Sequence, residues 1–165
     1  MKTIGFIIAF SIMAAFSTQT KAQPQTQKKS GTFDEIAAVF AAYDRQFMEL
    51  KGDFLYEDEE VTAYYSTFNH DKASFAMISV LSDMVIYTIR YDLADVSADD
   101  IADIMADYIY FAEAMKEHGG LTENVEQKYS DVDYIGFRTK DENDVAMYDF
   151  LVSDNDVLVN YYYFK

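Results

Sequence analysis

The chain has 165 residues, half of them hydrophobic and 16% aromatic, which suits one domain with a substantial core and excludes a disordered polymer. With 29 acidic against 13 basic residues it carries a formal charge of -16, a surface that repels nucleic acid and anionic membrane. It has no cysteine, which excludes disulfides and thiol chemistry.

Lys2, an apolar run of 13 residues from Ile4 to Phe16, and the small-residue site Thr20-Lys21-Ala22 read as a secretory signal peptide over residues 1–22. An uncleaved anchor helix is the competing explanation, but a membrane span takes about 20 apolar residues. Cleavage would remove Lys2 and Lys21, leaving eleven basic residues against 29 acidic ones, net -18. The product is expected to be extracytoplasmic, periplasmic or secreted, without stable membrane insertion and without a cysteine for lipid attachment. Residues 23–31 are polar and read as a flexible leader to a single domain over 32–165.

Thr32 with Glu35 matches a capping box, and Phe33, Ile36, Phe40, Tyr43, Phe47 and Leu50 recur at spacings of three and four, which predicts a first helix ending at Gly52. The acid run Glu57-Asp58-Glu59-Glu60 predicts a solvated turn. The period then becomes two. Strands are expected over 61–68, 73–81 and 84–91, separated by turns at 69–72 and 82–83. In the third, alternation directs Val85, Tyr87, Ile89 and Tyr91 to the core and leaves Met84, Ile86, Thr88 and Arg90 more exposed.

Residues 97–120 hold the clearest helix. Ser97 is a natural N-cap, Asp99 and Asp100 suit the positive end of the dipole, and Gly119-Gly120 provides the stop. Ile101, Ile104, Met105, Tyr108, Phe111, Ala112 and Met115 form one apolar stripe that needs a sheet to cover it. A polar connection over 121–130, with one helical turn, is expected next, then strands over 133–139, 145–152 and 157–164. The fold class is therefore α+β, in the order α-βββ-α-βββ, with two amphipathic helices on one face of a mainly antiparallel sheet. That order is similar to the order of elements in small acidic secretion chaperones, and order alone carries no function.

Enzyme signatures are sparse. The chain lacks G-x-S-x-G, a phosphate-binding loop and H-E-x-x-H, and has two histidines, His70 expected exposed in a turn and His118 expected against the last carbonyls of its helix. Asp154-Asn155-Asp156 and the residues 141–144 offer hard oxygen ligands, but neither run matches a calcium loop, and Asp and Asn are also ordinary turn residues. No metal or cofactor is expected.

Tyrosine is more suggestive. Nine of the 14 tyrosines fall on expected strands, ending in Tyr161-Tyr162-Tyr163-Phe164, and alternation sends consecutive aromatics to opposite faces. The expected open face carries Tyr64, Arg90, Tyr134, Arg138 and Tyr162, a composition over-represented at interfaces, although Tyr is also simply a good strand former. The reading is an exported, non-enzymatic domain that binds a protein or small ligand on that face, Arg90 and Arg138 orienting an acidic group. The alternative is a carrier of a small hydrophobic ligand in a cavity lined by Met77, Met84, Met105, Met115 and Phe111. An enzyme with a paired-carboxylate cleft and an acidic decoy for a basic partner are further alternatives, the decoy resting on charge alone.

Overall fold

The structure is a computed structural model, and it describes residues 28–117, 121–129, 132–141, 143 and 145–165. The expected signal peptide and the helix stop at 118–120 lie outside these residues. The fold is α+β. Strand β1 (Lys28–Ser30) precedes helix α1 (Thr32–Ala41); β2 (Lys51–Glu57), β3 (Thr62–Ser66), β4 (Phe68–His70), β5 (Phe75–Val80) and β6 (Met84–Asp92) follow; then come α2 (Ala98–Glu117), β7 (Leu121–Tyr129), β8 (Val132–Lys140), β9 (Ala146–Val152) and β10 (Asp156–Phe164). Eight strands form one antiparallel sheet in the order β2-β3-β5-β6-β10-β9-β8-β7, and β1 pairs parallel with β4 apart from it.

Several elements depart from expectation for identifiable reasons. Helix α1 stops at Ala41 because Gln46 and Phe47 take left-handed backbone conformations (φ 57° and 60°), which fold the chain back through two short 3-10 turns. In exchange Phe47 becomes fully buried, its ring against Tyr43 and Tyr87 at 5.8 and 5.9 Å, so burial wins over helical continuation. Thr32 and Glu35 form no capping box; both side chains turn inward. Residues 121–129 form β7 rather than a connection, paired along nine residues with β8 at the end of the sheet order. An edge strand with exposed Glu123, Asn124, Glu126 and Lys128 has no need of the apolar alternation that marks a central strand. Strand β2 and the short β1–β4 pair were likewise invisible to periodicity, and Lys28–Ser30 lie in the stretch expected to be a flexible leader.

The central strands are buried on both sides. On the first face Val85, Tyr87, Ile89 and Tyr91 join Tyr148, Phe150, Val157, Val159 and Tyr161 in one cluster with Ile36 and Val39 of α1 and Ile104, Tyr108 and Ala112 of α2. On the second face Met84, Ile86 and Thr88, expected to be exposed, are buried as well. The register shifts of β2 accompany a bend that brings Leu55 and Tyr56 against Val61, Met77, Ile86 and Tyr162, while Val125 and Val132 cover Tyr134, Leu151 and Leu158. Alternation therefore feeds two apolar layers, and consecutive Tyr161 and Tyr162 each find a core.

Gly136 of β8 lies tight against β9, opposite Leu151. A methyl group there would overlap the Phe150 carbonyl and lie 3.0 Å from Leu151 Cα. Gly136→Ala is expected to destabilise the fold by about 2–3 kcal/mol in denaturant titration, as overpacking does in cores; a change below about 0.5 kcal/mol would show that β8 and β9 separate freely there.

Candidate functional site

Four of the five residues expected on an open Tyr/Arg face do share one face. Strand register puts Arg90, Tyr134, Arg138 and Tyr162 on the second face of the sheet, whereas Tyr64 opposes Ile78 on the first, with Phe54 edge-on at 6.1 Å and the Lys51 ammonium 3.8 Å from its ring centre. That second face is not open. Tyr134 and Tyr162 are 5% and 4% exposed.

Both guanidinium groups already hold carboxylates of the same chain. Arg90 Nε lies 2.9 Å from Asp156 Oδ2, and Tyr134 donates to Asp156 Oδ1 at 2.6 Å, as does Ser153 at 2.9 Å. Arg138 donates to Asp149 Oδ2 at 3.3 Å; Tyr162 donates to the same oxygen at 2.8 Å, and the Asn160 amide to Oδ1 at 2.7 Å, with Thr88 donating to Asn160 at 2.7 Å. Burial pushes the Asp149 carboxyl up from its ordinary value, opposed by the Arg138 charge and the hydrogen bonds. These residues build a polar seam inside the molecule. The sequence signal for it was an Asp in the middle of an otherwise apolar strand, with Asn160 set opposite by the β9–β10 hairpin.

A second cluster lies in the first-face core and was missed altogether. Glu35 of α1 is completely buried, and its Oε1 accepts a short hydrogen bond from the Tyr108 hydroxyl of α2. Since Tyr108 has only that proton to give, the Tyr91 hydroxyl, 2.9 Å away, donates to Tyr108. The backbone of His70 also bonds to the Glu35 carboxyl. Thr32, one helical turn earlier, meets His70 Nε2 at 3.1 Å. His70 Nδ1 accepts the Lys72 N–H at 3.1 Å, so Nε2 carries the ring proton and donates to Thr32. Burial lowers the His70 pKa against the opposing charges of Asp71 and Asp107, which keeps the ring neutral near pH 7 despite Asp71 at 3.2 Å. His70 is thus a core residue of β4 rather than an exposed turn residue.

Tyr87, Tyr91, Tyr108, Tyr148 and Tyr161 surround Glu35, and burial together with its charge raises the pKa of every one of them. Burial drives Glu35 itself up to about 8 against the two hydrogen bonds. Glu35 Oε2 and the hydroxyls of Tyr148 and Tyr161 have no hydrogen-bond partner among the described residues. The available signal was helical spacing: Glu35 stands on the face that carries Thr32, Val39 and Ala42, all buried.

The methionines proposed to line a cavity are divided. Met77 and Met84 belong to the second-face layer, Met105 and Phe111 pack against the first, and the side chain of Met115 lies outside the described residues. In the acidic turns Asp141 accepts N–H bonds from Asn143 and Val145, both at 2.9 Å, and Asp156 serves the seam; no cluster of three or more metal-type ligands occurs among the described residues.

Exposed aromatic surface occurs elsewhere. Phe33 and Tyr110 meet edge-to-face at 6.3 Å on the outer side of α1 and α2 and remain 54% and 65% exposed. Phe40 and Ile109 are also exposed on these helices.

Because Glu35 titrates near 4.5 when unfolded and near 8 when folded, the native state binds the extra proton between those values, and stability falls as pH rises through that window. The full span is worth roughly 5 kcal/mol at most. Denaturant titrations from about pH 5 to pH 9 are expected to show this fall in the wild type and a flatter profile in Glu35→Gln; equal slopes would remove Glu35 as its source. Asp149→Ala, which strands Arg138, Asn160 and Tyr162 inside, is expected to cost about 3–5 kcal/mol in the same measurement, and a cost below about 1 kcal/mol would contradict a buried pair.

No protein-family model, curated protein or solved structure matches the chain, so any functional reading rests on its own geometry.

Proposed function

We propose that the chain is an exported, non-enzymatic interaction domain whose contact surface is the outer side of α1 and α2. One observation carries the reading: two large aromatic side chains, Phe33 and Tyr110, are in contact with each other and still more than half exposed. Exposed aromatic surface is a feature of binding faces. The sheet face expected to serve this role supports it less, since Arg90 and Arg138 already face carboxylates of the chain itself. The non-enzymatic part is supported by the complete burial of Glu35, the acid whose pKa burial raises to about 8. Export rests on the signal-like residues 1–22.

A display library selected on the protein tests this. Peptides are expected whose retention falls at least about tenfold when Phe33→Ala and Tyr110→Ala are combined, a loss in the range of an interface hot spot. A selection in which every binder ignores the double change would reject the surface.

A second reading, a carrier, draws on the unpartnered Glu35 Oε2 and the Tyr148 and Tyr161 hydroxyls, which favour a small polar guest over the hydrophobic one expected from the methionines. Native mass spectrometry of the purified chain is expected to show a retained mass that Tyr148→Phe weakens; a bare protein mass would count against the carrier.

A further inference from the structure

The interaction reading leaves the partner's chemistry open, and the border of the aromatic pair defines it. We propose that this helix surface binds a basic amphipathic segment of a protein partner, with apolar side chains on Phe33 and Tyr110 and Lys or Arg side chains on the carboxylates beside them. The proposal rests on the interaction reading.

Helical spacing sets the border. Asp107 and Glu113 stand three residues to either side of Tyr110 and Asp103 seven residues before it, which sets Asp103 and Glu113 on its outward side of α2 and half-buried Asp107, whose charge also acts on His70, at the edge of that side. Asp34 follows Phe33 on α1, and Asp34, Asp103 and Glu113 are exposed. Within the two helices compensating charge is scarce: α1 contains no Lys or Arg, and α2 contains only Lys116, close to its C-terminal end. Lys72 instead meets Asp100, at 3.4 Å, near the other end of α2.

Charge then sorts the possible occupants. A second copy of this chain would set the same carboxylates against one another, and nucleic acid or an anionic membrane would be repelled by them. A neutral apolar segment would cover the aromatics but strip water from carboxylates without replacing it. A basic segment satisfies both parts of the surface, and a cation placed over Tyr110 gains attraction to the ring face as well.

The test uses the purified full chain and three synthetic helix-forming peptides of one apolar pattern, with Lys, Gln or Glu at the polar positions. Binding is read by fluorescence anisotropy at fixed ionic strength, and circular dichroism melts verify each folded variant. The Lys peptide is expected to bind about tenfold or more tighter than the Gln peptide. Combining Asp34→Asn, Asp103→Asn, Asp107→Asn and Glu113→Gln should remove that advantage, while neutralising Glu57, Asp58, Glu59 and Glu60, the same number of charges on the remote turn, should change affinity less than about twofold. Equal loss from the two sets would assign the effect to net charge and overturn the proposal. Equal affinity for the Lys and Gln peptides, with loss on Phe33→Ala/Tyr110→Ala, overturns the basic partner and leaves the aromatic surface standing. If that double change affects no peptide, the surface itself falls. A dimer in sedimentation that the double change dissociates would assign the surface to a second copy and likewise overturn the proposal.

Discussion

A single carboxyl group enclosed by protein ties the two helices to the strands between them. Glu35 reaches from α1 to the Tyr108 hydroxyl of α2 and to the backbone of His70 in β4, and Tyr91 of β6 continues the chain of hydroxyls behind it. Burying a carboxyl group this deeply is tolerable because its proton is retained: burial raises the pKa to about 8, so the neutral acid is the native form near pH 7. The same hydrogen bond has an outward consequence. Phe33 lies two residues from Glu35 and Tyr110 two residues from Tyr108, roughly half a helical turn away in each case. An inner contact between Glu35 and Tyr108 therefore places Phe33 and Tyr110 together on the outside of the same helix crossing, at 6.3 Å.

The sheet solves a different problem. Strands this rich in tyrosine present large side chains on both sides, and one helical layer can cover only one of them. Bending at β2 and coverage from β7 and β8 bury the other side, where two carboxylates that would be costly alone are each matched by an arginine and several hydroxyl or amide donors. Such a seam favours one register over others, because a slip of one residue between β9 and β10 would separate Asp149 from Asn160 and expose the aromatic layers.

Much of this was legible in the sequence where periodicity is strong. The helix capped by Ser97 appears as Ala98–Glu117, with Ser97 Oγ accepting the Asp100 N–H at 3.2 Å, and the strands around Tyr87, Tyr148 and Tyr161 fall within a residue or two of expectation. The odd-numbered residues of β6 do face the main core. The misses share a cause: local pattern does not report what a distant segment contributes. Phe47 leaves the helix because the core offers it a place, β7 is polar because it sits at an edge, and Met84 and Ile86 are buried because Leu55, Tyr56, Val61 and Tyr162 pack with them, while Thr88 is held by Asn160. The partners of the candidate site residues were hidden for the same reason. Arg90 and Arg138 look like free cations until the register supplies Asp156 and Asp149, and Glu35 looks like a capping residue until Tyr108 arrives from 73 positions away.

The protonation state of Glu35 is the most direct point of attack on this account. Carbon-13 NMR of the side-chain carboxyl, assigned by comparison with Glu35→Gln, should show it titrating near pH 8 in the folded protein, well apart from the exposed glutamates. A midpoint between about pH 4 and 5, with the protein still folded, would mean that the carboxyl sits in water, and the link between α1, α2 and β4 described here would not exist.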